Sequence, residues 1–478
     1  MLKVMITAVA SNSGKTAVTC GLLSLLKNKG LDPCAFKCGP DYIDPMFHRS
    51  VLGISSNNLD VFLAGEDGVR DTFARGCKGH GAAVCEGVMG FYDGVRFADG
   101  AGDAGGRPDY ADKRSGEFAS AHHVADLLDI PAILVVRPKG AALTLAAVIK
   151  GAAEFREPKR IRGVIFNDCS EAYYRMYAPS IEEESGIPVL GYVPHMEEAG
   201  FESRHLGLMT AGEIEDLAER IDRIGKKMEE TVDVDRLLEV CGAGKPENAA
   251  AGEAATSEAE AASPGAADAA SPEAGVCIAV AKDEAFNFIY ADTLTALEEA
   301  GAEIVFFSPV HDRALPEGAQ GLYLPGGYPE LYCRQLSENE SMLESIREAV
   351  KGGLPTIAEC GGFLYLSASL EDAYGVNWPM AGVFQGHGSN AGKLVRFGYG
   401  YISAENDSLL LRVGEQVPVH EFHYWDTTAD GSDMTLTKIS NGKQWNFGYA
   451  SDTLYAGFPH LYLAGGKLAD RFVRACAF

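Results

Sequence analysis

The sequence predicts an α/β protein made of two successive domains, the first of them a doubly wound P-loop domain. Three observations predict it. Apolar runs of strand length alternate with helix-period segments in both halves of the chain. A GKT sequence follows the first strand-like run and opens the first helix-like one. A compositionally distinct segment separates the halves: residues 243–275 are dominated by Ala, Glu, Ser, Pro and Gly and hold no aromatic residue and no Val, Ile or Leu. Such a segment cannot bury enough apolar surface to offset the entropy of ordering it, so it reads as a disordered acidic linker. The expected domains are therefore 1–242 and 276–478.

In the first domain VMITAVA, DPCAFK, AAVCEGVM, PAILVV and RIRGVIFN read as buried strands, and TAVTCGLLSLLKNKG and LTLAAVIKGAAEF as helices between them. Residues 8–16, AVASNSGKT, lie at the first strand-to-helix turn. Backbone N–H groups of such a turn, including those of Ser13 and Gly14, can cradle phosphate. Lys15 can reach the outer phosphates, and the Thr16 hydroxyl can bind Mg2+. Val9 stands where the usual pattern has its first glycine.

Two acidic motifs end later strands. FKCGPDYIDPMFH (36–48) supplies Lys37, Asp41, Asp44 and His48, and CEGVMGFYDG (85–94) supplies Glu86 and Asp93. Ligands of open α/β sheets gather outside the carboxyl ends of the strands. A carboxylate there can hold the Mg2+ that bridges nucleotide phosphates, which makes Glu86 and one of Asp41 or Asp44 the metal candidates.

The second domain repeats the alternation with VCIAVAKD, EIVFFSP, GLYLPGG and PTIAEC as strands and ADTLTALEEAG as a helix, and residues 380–460 read as shorter antiparallel strands. LPTIAECGGFLYL (354–366) is a strand, a cysteine, two glycines and a helix start, the arrangement of a nucleophile elbow with Cys360 as nucleophile. Gly361 and Gly362 allow the turn, and the helix N-terminus favours a thiolate and offers N–H groups to an oxyanion. Gly326 and Gly327 of LPGGYPE end another strand and can complete that hole. The base has four candidates, His387, His420, His423 and His460. Spacing does not choose among them; His420 and His423, three apart, face opposite sides of a regular strand.

Composition bounds the partners. With 41 Lys and Arg against 67 Asp and Glu, the net charge of -26 argues against nucleic acid or an anionic membrane surface. Eleven cysteines contain no CxxC pair, which argues against zinc, and no apolar run is long enough for a membrane span. The N-terminus lacks a signal-peptide pattern, so a cytoplasmic setting is expected.

In KCGPDYIDPMFH, NNLD (57–60), EGVMGFYDG, RHLGL (204–208), LPGGYPELY, AECGGFLYL, HEFHYW and AGFPHLYL the chain resembles the cobyrinate a,c-diamide synthase family, within the class I glutamine amidotransferases. The resemblance covers nearly everything but the linker. It implies a dethiobiotin-synthetase-like first domain and a glutaminase-like second domain. It implies ATP and Mg2+ as cofactors, and L-glutamine and a cobyrinate-type tetrapyrrole as substrates. It assigns Cys360 as nucleophile and His460 as its partner. Lys15 and Thr16 fall in the nucleotide loop, Asn167 on the adenine side, and Glu86 with Asp41 or Asp44 at magnesium. Lys37, His48, Arg49 and Arg204 are candidate contacts to ring carboxylates. Asn12 stands where the family loop has glycine. A homodimer stays open. Amidation of hydrogenobyrinate or nickel-sirohydrochlorin is the nearest alternative within the class. A P-loop switch fused to an inactive glutaminase-like module is the non-enzymatic one.

Overall fold

The structure, a computed structural model, describes residues 1–98, 116–197, 211–242 and 275–477, with residues 211–215 as backbone alone. The linker 243–275, the insertion 98–116 and Arg204 with its RHLGL motif lie almost wholly outside the described residues.

The first half is a seven-stranded parallel sheet. Its strands are β1 (Leu2–Ala8), β2 (Pro33–Cys38), β3 (Ser56–Leu59), β4 (Ala82–Glu86), β5 (Ala132–Val136), β6 (Ile161–Asn167) and β7 (Val189–Val193). They lie in the order β3-β2-β4-β1-β5-β6-β7. All six pairings are parallel, so each central strand is covered on both faces and reads as a continuous apolar run. The five inner strands are those the sequence predicts; β3 and β7 are additional to them. Both lie at the sheet's edges, and SNNL carries no apolar pattern.

Successive residues of β1 feed two cores. Val4 and Ile6 pack with helix α1 (Lys15–Asn28) and the helix Ala211–Thr231, whereas Met5 packs with Phe36, Cys38 and Leu59. Close approach of α1 to that helix depends on Gly21, because a Cβ there would lie 2.6 Å from the Met228 sulfur. Two further helices matter for the site: α2 (Ile43–Leu52) after β2, and α3 (Val61–Gly76) after β3.

The second half holds a six-stranded sheet with β8 (Val276–Ala281), β10 (Ala302–Phe307), β11 (Gly321–Leu324) and β13 (Thr356–Glu359). β13 is flanked by β11 and by the strand Leu454–Gly457, both parallel to it. A small antiparallel pair is formed by β9 (Phe286–Phe288) and β12 (Gly326–Gly327). Residues 396–447 build an antiparallel sheet closed by Val417–His423 against His460–Leu461.

The halves are joined by buried polar contacts as well as apolar ones. Asp292 is fully buried and accepts from Asn57 Nδ2 (3.1 Å), Thr72 Oγ1 (3.3 Å) and Arg75 Nη2 (3.1 Å). Asp60 caps α3 by accepting from Phe62 N and Leu63 N, and its other oxygen accepts from Tyr399 across the interface at 2.6 Å. Tyr290 and Tyr462 belong to the same apolar cluster as Phe36, Phe62 and Phe73. No helix among the described residues is long and apolar enough to cross a membrane.

Candidate active sites

The first site is assembled where β1, β2 and β4 end. β1 runs into a turn whose geometry needs left-handed residues. Asn12 takes φ 62 and Gly14 φ 87. Asparagine is the non-glycine residue that best tolerates that region, which explains how it stands where a glycine was expected. Gly14 has no substitute: a Cβ would lie 2.0 Å from Asn167 Nδ2, which itself donates to Ser13 O at 3.0 Å. Asn167, at the end of β6, therefore clamps the loop from the side. The Ser13 hydroxyl donates to Ala10 O.

Lys15 opens α1 and folds back over the loop, donating to Met89 O at 2.6 Å and Ala10 O at 3.3 Å. Burial and the neighbouring Lys37 ammonium lower its pKa. Thr16 donates to Glu86 Oε1 at 2.7 Å, and Lys37 donates to the same oxygen at 2.8 Å. Glu86 is fully buried and its Oε2 has no partner among the described residues. Burial pushes its pKa up to about 7, with Lys37 acting against the rise. Lys37 also donates to Asp44. Burial acts against ionisation of Asp44, but Lys37 outweighs it and holds the carboxyl below its ordinary range.

Asp41 and Asp44 have different work. Asp41 accepts from Ile43 N (2.8 Å) and Asp44 N (3.3 Å), so it caps the start of α2, and it lies 3.9 Å from Lys37. Asp44 faces into the Lys37–Glu86 cluster. Asp93 closes its own turn, accepting from Gly90 N at 3.0 Å. The orphan oxygen of Glu86 beside the Thr16 hydroxyl is a hard-oxygen pair. It fits Mg2+, which takes few protein ligands and completes its shell with phosphates and water. No group of three or more His, Cys, Asp or Glu arranged around a metal position occurs among the described residues.

The expected ring contacts fare differently. His48 is fully buried and bonds Ser56 Oγ through Nδ1 at 3.1 Å; burial lowers its pKa to about 4, so it is neutral and packed away from solvent. Lys37 is engaged by two carboxylates, and Arg49 donates to Ser56 O at 2.7 Å. His48 is thus buried and neutral, and Lys37 lies within the carboxylate cluster rather than on an exposed surface.

The second site forms where β13 breaks into the short helix Gly361–Tyr365. Cys360 sits between them at φ 48, ψ -103, a left-handed conformation that a non-glycine residue holds at a cost of about 1–3 kcal/mol. Its N–H is tied to Gly457 O at 2.8 Å, and the sulfur lies 4.0 Å from Phe422 O. The glycines beside it are demanded by space. A Cβ on Gly362 would lie 2.2 Å from Leu324 O, and one on Gly361 would lie 3.0 Å from Gly327 N. Gly361 and Gly327 backbones thus meet at the sulfur's end of the helix. Gly362 N–H is already used by Pro325 O at 3.0 Å.

Of the four candidate histidines, His460 is the one that meets Cys360. Burial works against its protonation, but the Cys360 sulfur and the Glu359 carboxylate outweigh burial and raise its pKa to about 10. A protonated imidazole supplies the cation beside which a thiolate is stable. The ring lies over Gly326, where a Cβ would come within 2.5 Å of Cε1. His420 pairs with His460 across the antiparallel ladder and is held neutral by burial, its pKa lowered to about 3. His423 bonds Trp425 O and Glu421 and stacks on Phe458 at 3.8 Å. His387 bonds Ser369 Oγ. The register of Val417–His423 is unbroken, so His420 and His423 do face opposite sides.

Glu359 is a site residue that the sequence patterns do not single out. It is buried at 1% exposure, its Oε2 lies 3.8 Å from His460 Nδ1, and it is oriented by Tyr323 OH (3.0 Å) and Leu461 N (2.8 Å). A carboxylate ending the apolar strand TIAE, immediately before the nucleophile, was the available signal.

Comparison with known proteins agrees with this geometry. Residues 4–206 match a CobQ/CobB/MinD/ParA nucleotide binding domain, and residues 277–467 match a CobB/CobQ-like glutamine amidotransferase domain. A cobyrinate a,c-diamide synthase of Clostridium acetobutylicum is 37% identical over 471 residues, which cover 97% of this chain and 98% of the relative. The corresponding synthase of Clostridium tetani is 36% identical with the same coverage. That of Salmonella typhimurium is 36% identical over 474 residues, 96% of this chain and 95% of the relative.

Proposed function

The chain belongs to the cobyrinate a,c-diamide synthase family, and from that premise we propose that it converts the a and c carboxylates of cobyrinate into carboxamides in corrinoid biosynthesis. It is an ATP-dependent carbon–nitrogen ligase with glutamine as nitrogen donor. The observation that carries the division of labour is the Cys360 elbow set against a charged His460, in one chain with a Lys15–Thr16–Glu86 phosphate cradle.

A carboxylate is a poor electrophile, and neutral ammonia is scarce near pH 7. Two activations are therefore needed. At the first site the ATP γ-phosphoryl group passes to a substrate carboxylate oxygen, ADP leaves, and an acyl phosphate results. Lys15 neutralises charge on the phosphates. Glu86 and Thr16, with Asp41 or Asp44 beside them, would hold Mg2+, whose chemistry is to offset charge on the phosphoryl oxygens. Asn167 supports the loop through Ser13 O, and the family resemblance assigns it to the adenine side.

At the second site the Cys360 thiolate attacks the glutamine amide carbon. Gly361 and Gly327 N–H groups face the developing oxyanion, with Gly326 making room for the imidazole. His460 gives its proton to the leaving nitrogen as the C–N bond breaks, and water then releases glutamate from the thioester. Glu359 keeps the imidazole oriented. Ammonia attacks the acyl phosphate, the C–O bond breaks, and phosphate departs with the amide formed.

Mass spectrometry of the products from cobyrinate, ATP, Mg2+ and glutamine tests the reading: two amides are gained, and no more. A product with one amide or with more than two overturns the a,c assignment. Parallel turnover of hydrogenobyrinate and nickel-sirohydrochlorin assigns the ring. Cytoplasmic residence and a homodimer belong to the same reading, and light scattering tests the dimer.

A further inference from the structure

The two sites meet through one side chain. Residues 39–44, the turn between β2 and α2, end in Asp44, which faces Lys37 and Glu86 of the phosphate site. Two residues earlier in that turn, Tyr42 points the other way, into the second half of the molecule. Its ring stacks on Tyr290 (centroids 4.2 Å apart) and on Phe288 (5.3 Å, planes 8° apart), and lies 5.2 Å from the His460 ring. Phe288 pairs with Gly326 in the β9–β12 ladder, so Tyr42 touches both the catalytic imidazole and the strand that lines it.

The turn itself is tightly held. Asn58 donates to Gly39 O (2.9 Å) and Asp41 O (2.7 Å), Tyr290 donates to Pro40 O (3.3 Å), and Asp41 caps α2 from within it. So pinned, the turn holds Asp44 and Tyr42 in a fixed relation, the one facing the Lys37–Glu86 cluster and the other the His460 ring. On its far side His460 is confined by Gly326, where no side chain could be accommodated, and by Glu359. The imidazole is thus braced by groups from its own domain on two sides and by the other domain on a third.

Accordingly, we propose that Tyr42 is a positioning residue through which the phosphate site sets the His460 imidazole, so that glutamine is hydrolysed when the acyl-acceptor site is loaded. The proposal rests on the functional reading above. It gives the ring of Tyr42, rather than its hydroxyl, the coupling role.

Full-length Tyr42→Leu and Tyr42→Phe proteins test it in three assays: glutamine-driven amidation of cobyrinate, ammonia-driven amidation, and glutamate release with and without ATP, Mg2+ and cobyrinate. For Tyr42→Leu, glutamine-driven amidation is expected to fall at least about tenfold, since small misplacements of a catalytic group are costly. Ammonia-driven amidation is expected to stay within about twofold of wild type, and the rise in glutamate release on loading the first site to disappear. Tyr42→Phe should keep all three. Equal losses with glutamine and ammonia would place Tyr42 in the phosphate site alone and overturn the proposal, as would three unchanged rates. Should Tyr42→Leu fail to fold, Phe288→Leu, which removes the stacking partner, must show the same split. Wild-type protein that fails to amidate cobyrinate with ammonia refutes the functional reading instead; basal glutamate release from Tyr42→Leu against wild type then still decides the effect on His460.

Discussion

The two catalytic centres of this chain are built on opposite plans. The phosphate site is a cluster of buried charges, Lys15, Lys37, Asp44 and Glu86, that leaves one carboxylate oxygen without a partner among the described residues. Its left-handed residues are Asn12 and Gly14, which reach that region at little cost, and Met89 (φ 47), whose carbonyl accepts from Lys15. The thiol site holds a positive φ in the cysteine itself and already has imidazole and carboxylate in place. The first leaves a carboxylate oxygen open beside its nucleotide loop; the second has its groups already in contact.

The sharpest way to break that contrast is to remove the nucleophile. Cys360→Ala should lower glutamine-driven amidation by about a thousandfold or more and leave ammonia-driven amidation near wild type, since only the nitrogen source is lost. Parallel loss of both rates would show that the centres are not separable. The converse variant, Glu86→Gln, should depress both rates by about 10²–10³-fold, because either nitrogen source needs the acyl phosphate; retention of ammonia-driven turnover would remove Glu86 from that site.

Glu359→Gln asks a finer question. It keeps the acceptor oxygen for Leu461 N and removes the charge beside His460, so glutamine-driven kcat should drop about tenfold to a hundredfold with KM for glutamine little changed. An unchanged kcat makes Glu359 packing only. A pH profile follows from the same contact. His460 is protonated below its raised pKa of about 10 and loses its proton above it. Glutamate release should therefore decline as pH rises through about 10, while ammonia-driven amidation shows no loss tied to that group. Smallest in size, Asp292→Ala leaves Asn57, Thr72 and Arg75 without their acceptor, and urea unfolding should report about 1–3 kcal/mol of lost stability.

What could be read in advance follows how local each feature is. Inner strands such as AILVV and the elbow TIAECGG announce themselves because burial on both faces and a tight turn each restrict residue types within a few positions. Edge strand β3 escapes because SNNL carries no apolar run; β7, VLGYV, is apolar and buried, but is only five residues long and is broken by a glycine. His48 shows a related limit: in a charged motif it reads as an anion contact, and only packing shows it buried against Ser56.

The amino-acid sequence alone determined the two α/β halves, the phosphate loop, the thiol elbow and the family. Each rests on side-chain types at short spacing, where chain geometry leaves little freedom. The tertiary structure alone decided which of four histidines faces the sulfur, that Glu359 stands behind it, that Asp44 rather than Asp41 turns into the charge cluster, and that Tyr42 bridges the halves. Those choices depend on residues of separate elements, some of them hundreds of positions apart like Tyr42 and Tyr290, being brought within a few ångströms, an outcome of core packing that no local pattern encodes.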